Sequence, residues 1–273
     1  MKNIVKDKEE IIKNVENYIN IIEKEYKEFV KIPENLCCKE ILRIEKLGTI
    51  SLFVRDNVFY FPLEAYTIIE RLKEHKDYGK NKMHKLYDSN TLLNNNNDFM
   101  DFIEHLILRG ATALDYFKEV LLHETMHFCG SNGNSALMEG LNEYLTRKLA
   151  LKYKLTTNGC AYYKEVKIIL LLEELFGTEK LIKIAFSKSN ESIEKILNSL
   201  EDISFFFELD SIMNEEFYNK YYRFKFSNPF DKARKYEDIN YSSALKLIEN
   251  YKKSKLARRR LWKAFLSVSN LNI

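Results

Sequence analysis

Apolar residues at positions 11, 12, 15, 18, 19, 21, 22, 26, 29 and 30 recur every three to four residues, which is the period of one helical face. The pattern predicts an amphipathic helix over 6–31, ended by Pro33 and Asn35. Two short runs rich in β-branched and aromatic residues follow, Ile50-Ser51-Leu52-Phe53-Val54 and Val58-Phe59-Tyr60-Phe61. Joined by Arg55-Asp56-Asn57 and closed by Pro62, they read as a β-hairpin. A helix is expected over 64–76. The polar stretch 77–98, with Asn94-Asn95-Asn96-Asn97, reads as a loop and the best linker in the chain.

Helical spacing resumes over 111–129, where apolar residues fall at 113, 114, 117, 120, 121 and 128 and no Pro or Gly intervenes. Gly130 is placed to end this helix in the left-handed conformation. Ser131-Asn132-Gly133-Asn134 makes a polar turn, and Ser135 is placed to cap the next helix. Further helices are predicted over 163–176 and 179–186, split by Gly177-Thr178, then over 191–200, and again over 241–265. The aromatic cluster Phe205, Phe206, Phe207, Phe217, Tyr218, Tyr221, Tyr222, Phe224 and Phe226 is more simply core or interface than ligand box.

The fold class that follows is α+β and mainly α-helical, with a small hairpin or sheet and a helical C-terminal region. Three regions are expected: 1–98, 99–190 and 191–273. With 45% hydrophobic residues in 273, and only 8 Gly and 3 Pro, the chain has core material for such a fold. Its 43 basic and 40 acidic side chains leave a net charge of +3, so charge demands no polyanionic partner and no nucleic acid is expected. The most apolar run, 168–172, is stopped by Glu173 and Glu174, well short of a membrane span. The first residues lack the apolar stretch of a secretion signal. The four cysteines show no C-x-x-C spacing, and Cys37-Cys38 are vicinal. A reducing cytoplasm is therefore the expected compartment.

The candidate chemistry lies in His123-Glu124-Thr125-Met126-His127. On a helix, positions 123 and 127 stand one turn apart on one face, so both imidazoles reach a single ion. Glu124, beside them, is placed to act as general base on a metal-bound water. With five histidines in the chain, chance H-E-x-x-H matches number on the order of 0.01, so coincidence is a poor explanation. The implied metal is zinc, and a catalytic zinc takes three protein ligands and keeps one position open.

No histidine follows His127, which argues against a third histidine ligand supplied by the longer pattern. In the longer pattern H-E-x-x-H-x-x-G-x-x-H, Gly130 falls at the glycine but Gly133 stands where the last histidine would be. Glu139 and Glu143 open the next helix and lie one turn apart. Glu139 is assigned as ligand, and Glu143 as the acceptor that fixes the tautomer of a ligand imidazole. The reverse assignment of the two stays open. Cys129 is expected to be a buried, inert thiol.

With Glu139-Gly140 and Glu143-Tyr144 forming an E-G-x-x-E-Y segment, the chain resembles the gluzincin class of zinc metallopeptidases over roughly 112–150. The connection from His127 to Glu139 is shorter than in the large secreted members. The resemblance implies zinc as cofactor, peptide or protein as substrate, and hydrolysis with Glu124 as base. It also implies an edge strand that pairs with extended peptide, a role for which the hairpin is available. Covering the helices is the hairpin's alternative role. An oxyanion donor is needed as well; Tyr162 and Tyr163, at the start of the third helix of this region, are the candidates, ahead of Tyr144, Tyr222 and Arg223.

Two other functions compete. A zinc amidohydrolase acting on a non-peptide bond would use the same residues. The basic cluster Lys252-Lys253-Ser254-Lys255-Leu256-Ala257-Arg258-Arg259-Arg260 suggests instead an inactive zinc-site protein that binds nucleic acid or an acidic partner. Against that, basic side chains also favour helix C-termini, and a purely structural zinc site needs no Glu124.

Overall fold

The computed structural model describes residues 2–30, 32, 42–45, 52–63, 113–155, 162–223, 241–258 and 260. The helix expected over 64–76 and the polar stretch 77–98 lie outside them, apart from Leu63 just ahead of the first. The described chain is α+β and mainly α-helical. In order come α1 (Lys2–Tyr26), β1 (Leu42–Glu45), β2 (Phe53–Arg55), β3 (Val58–Pro62), α2 (Ala113–Phe128), α3 (Ala136–Tyr153), α4 (Tyr163–Phe176), α5 (Thr178–Ala185), α6 (Asn190–Leu197) and α7 (Leu200–Arg223). A last helix, α8, covers 241–258.

The hairpin forms where the sequence predicts it, with a two-residue turn. Asp56 and Asn57 both have positive φ, 51° and 60°, as a type I′ turn requires, and Asp and Asn are among the few residues that adopt that conformation readily. β2 pairs antiparallel with β3, joining Arg55 to Val58 and Val54 to Phe59. The sequence did not predict β1, which lies parallel to β3 from Leu42↔Phe59 to Glu45↔Pro62. Among the described residues the strand order is β1-β3-β2, which leaves one edge of β2 without a partner strand.

α1 ends at Tyr26, earlier than its apolar pattern suggests, because Phe29 and Val30 turn back to donate to the Tyr26 carbonyl. Its buried stripe, Ile11, Val15, Tyr18, Ile19, Ile22 and Tyr26, enters the apolar cluster that also holds Phe117 and Leu121 of α2. Lys118 Nζ reaches Glu10 Oε1 at 2.6 Å. At 100° per residue Lys118 lies roughly 140° around α2 from His123, so α1 covers the back of α2.

α3 is the central helix. Thirteen of its eighteen residues are buried, and it packs against α2, α4, α5 and α7. Gly140 allows the close approach of α4, since a Cβ there would meet Glu165 Cβ at 2.4 Å and its backbone at 3.1 Å. A helix face buried in a core is normally apolar, yet α3 buries Asn142, Glu143, Thr146 and Arg147. Buried polar groups need partners, and those partners form the site described below.

α8 accounts for much of the basic cluster. Lys252 pairs with Glu174 at 2.5 Å, Lys255 with Asp202 at 3.4 Å, and Arg258 with Glu201. Phe205 stacks on Tyr251 with centroids 4.0 Å apart, which places this part of the aromatic cluster in the core. Among the described residues no helix is long and apolar enough to cross a membrane.

Candidate metal centre

α2 carries His123, Glu124 and His127, and its opposite side is anchored by core residues including Phe117 and Leu121. The chain then reverses in seven residues. Gly130 adopts φ 100°, and its N–H and that of Ser131 donate to the His127 and Met126 carbonyls, closing the helix. Ser135 caps α3 by accepting from the Met138 N–H at 3.2 Å. This cap fixes where α3 begins, and so places Glu139 in its first turn.

Glu139 Oε2 lies 3.1 Å from His123 Nε2 and 3.3 Å from His127 Nε2, and the two nitrogens are 3.1 Å apart. Zinc ligands at about 2.0–2.1 Å in a tetrahedron stand about 3.3 Å from one another. The three donor atoms therefore already have the spacing of one face of a zinc tetrahedron. Two imidazoles and a carboxylate are also a donor set that zinc favours. Among the described residues this is the one His/Cys/Asp/Glu group whose donors converge in this way.

Gly133 completes the geometry. A Cβ on it would lie 2.5 Å from both Glu139 Oε1 and His127 Cε1, so the loop passes over the ligands with no room for a side chain. Gly133 stands where the longer motif has its last histidine, and the space a side chain there would enter is taken by the carboxylate of Glu139.

Each imidazole is held from behind. His123 Nδ1 is 2.8 Å from Glu143 Oε2, which leaves Nε2 facing the other donors. Of the two assignments open for the glutamates, the geometry puts Glu139 on both Nε2 atoms and Glu143 on Nδ1. Glu143 Oε1 in turn accepts from Arg147 Nε at 2.7 Å. His127 Nδ1 faces both the carbonyl and the hydroxyl of Ser131, each at 3.4 Å. Asn142, fully buried, donates from Nδ2 to the His123 carbonyl at 3.1 Å and accepts from the Ser131 hydroxyl at 2.5 Å. It therefore ties α2, the turn and α3 together.

The charges are tightly coupled. Burial alone would depress the His123 imidazole, but the carboxylates of Glu139 and Glu143 push it up to about 10. Glu139 is raised by burial, yet the two histidines hold it well below the usual carboxylate range. Glu124 is raised, first by burial and then by Glu139, against the opposing pull of the histidines and of a hydrogen bond from the Val54 N–H.

That last contact brings the sheet to the site. In a two-residue hairpin the first pair, Arg55 and Val58, exchanges the inter-strand hydrogen bonds, so the backbone groups of Val54 point away from β3. The free edge of β2 thus runs along Glu124.

Among the described tyrosine side chains, Tyr162 reaches the site. Its ring stacks on His123, with centroids 5.4 Å apart and planes 9° from parallel. It precedes α4 with φ 53°, a conformation uncommon for a bulky side chain. Tyr144 faces away: its hydroxyl meets Lys148 Nζ at 2.7 Å, beside Glu173. The side chains of Tyr163, Tyr222 and Arg223 lie outside the described residues. Cys129 is fully buried, and burial pushes its thiol up to about 12. Asn142, Ser131, Val54 and Arg147 escaped the sequence motifs; the spacing of Arg147 four residues after Glu143 was the available signal. Compared with family models, curated proteins and solved structures, the chain matches none.

Proposed function

We propose that this protein is a zinc-dependent peptide hydrolase, with His123, His127 and Glu139 as the ligands and Glu124 as general base. The observation that carries the proposal is the donor triangle with sides of 3.1, 3.1 and 3.3 Å, with Glu124 next to it on α2. A zinc ion bound there supplies Lewis acidity, making water a better nucleophile at neutral pH and polarising a carbonyl.

The chain's own residues do the rest. Glu124 takes a proton from the attacking water and delivers it to the leaving nitrogen as the C–N bond breaks. The Val54 N–H holds one position of the Glu124 carboxylate, and Glu143 and Ser131 orient the two imidazoles. With its N–H on Glu124, Val54 keeps its outward carbonyl on the outer edge of β2, and we read that edge as the place where an extended peptide docks. Tyr162, lying over His123, is the oxyanion donor in this scheme, and Tyr163 is to be tested beside it. The basic cluster gives a nucleic-acid role little support, because Lys252, Lys255 and Arg258 already face acidic partners. We assign the cytoplasm as compartment on the cysteine pattern alone.

The test is metal content together with cleavage of a mixed peptide library, read by mass spectrometry. Wild type is expected to hold one zinc and cleave. Glu139→Ala should hold much less, and Glu124→Gln should hold a full zinc without cleaving. A wild type that binds no zinc, or binds it equally after Glu139→Ala, would overturn the assignment. Zinc binding without cleavage of any peptide would turn the search to non-peptide amides.

A further inference from the structure

We propose that Arg147 is a positioning residue of the metal centre, acting through Glu143 on the imidazole of His123; the inference rests on the metal assignment above. Arg147 and Glu143 are each 2% exposed. They stand one turn apart on α3, where i and i+4 side chains share a face. Arg147 Nε donates to Glu143 Oε1 at 2.7 Å, and Glu143 Oε2 lies 2.8 Å from His123 Nδ1. The two carboxylate oxygens thus have different partners, one on the guanidinium and one on the ligand.

Stability does not explain this arrangement. A buried arginine and carboxylate lose the solvation of both charges, and apolar residues of similar volume often serve a fold as well or better. What the pair supplies is direction. The torsion that sets the plane of a glutamate carboxylate is soft, so a carboxylate bonded only to His123 could rotate and carry the imidazole with it. With Oε1 fixed by a planar guanidinium, Oε2 meets Nδ1 at one angle. The ring is then held with Nε2 3.1 Å from Glu139 Oε2. A lysine would restore the charge but not the fixed plane of donors.

The proposal is tested by the zinc affinity of wild type, Arg147→Met, Glu143→Gln and the double variant, measured by chelator competition, with circular dichroism to establish folding. Arg147→Met is expected to bind zinc about 10- to 100-fold more weakly, the range typical for losing an outer partner of a ligand. The double variant should bind no more weakly than Glu143→Gln alone, because Arg147 acts through Glu143. Affinity within twofold of wild type in a folded Arg147→Met, or losses that multiply in the double variant, would overturn the positioning role while leaving the metal assignment intact. If Arg147→Met does not fold, Arg147→Lys takes its place, with a roughly 3- to 10-fold loss expected and wild-type affinity counting against the proposal. A wild type without zinc would overturn both.

Discussion

Gly133 and Glu139 share one small volume: a Cβ on the glycine would stand 2.5 Å from Oε1 of the glutamate and equally close to Cε1 of His127. Both clashing atoms are at the ends of side chains, so the fold can yield by moving them. The metal site cannot, because those side chains are its ligands. Gly133→Ala is therefore expected to keep its helical circular dichroism while losing at least about tenfold in zinc affinity, the size of effect seen when ligand orientation is disturbed. Unchanged zinc affinity in this variant would mean that Glu139 is not held at the metal as assigned.

The hairpin makes a prediction that separates two neighbouring residues. Val54 directs its N–H out of the sheet toward Glu124, whereas Phe53, opposite Tyr60, directs its N–H into the ladder. Proline is tolerated on an edge strand only where the lost N–H is not a ladder donor. Val54→Pro should therefore retain zinc and most of its stability but lose about tenfold or more in peptide cleavage, the cost of one hydrogen bond to a charged group. Phe53→Pro should lower the melting temperature instead. Equal effects of the two substitutions on stability, with cleavage intact after Val54→Pro, would remove the edge strand from the scheme.

α1 is part of the core, on the far side of α2 from the histidines. Ile22 is fully buried in that contact. Ile22→Ala should cost about 2–5 kcal/mol, as for other large-to-small changes in cores, seen as a lower midpoint in urea unfolding. Deleting 2–26 should abolish folding. A soluble, helical, zinc-binding protein lacking α1 would show that this packing is dispensable.

How far the site could be read in the sequence follows from the range of each interaction. His123 and His127 are legible because one helical turn brings them together, and Gly130 and Ser135 because caps are local. Glu139 and Glu143 could be placed one turn apart by the same period, though which of them faced the metal depended on a turn whose path no spacing encodes. Gly133 was visible as the missing histidine, but the carboxylate that fills its space was not. The spacing of Arg147 from Glu143 is that of an ordinary solvated i, i+4 pair, and only its burial sets it apart. β1 and the Val54 contact were out of reach for a different reason: both depend on strand pairing and packing between segments far apart in sequence, where apolar patterning gives no register.

The pair Lys148 and Glu173 provides a test of how α3 and α4 are joined that is independent of metal. Lys148 Nζ lies 2.8 Å from Glu173 Oε1, and the Thr178 hydroxyl donates to the same oxygen. Burial raises the Glu173 carboxyl, but hydrogen bonds from Lys148, Thr178 and Tyr144 bring it down from 4.5 to about 2. A carboxyl that is more acidic when folded stabilises the fold once it is ionised in both states, that is, above about pH 4.5. That contribution is lost progressively as pH falls from 4.5 toward 2, where the unfolded chain takes up the proton first. Solvent screens the partly exposed pair, which leaves about 1–2 kcal/mol at neutral pH. Glu173→Gln should lower stability by that amount at pH 7 and show a shallower fall between pH 4.5 and 2 than wild type, measured by urea unfolding of the zinc-free proteins. Parallel curves for the two proteins across that window would show that Glu173 is not paired in this way.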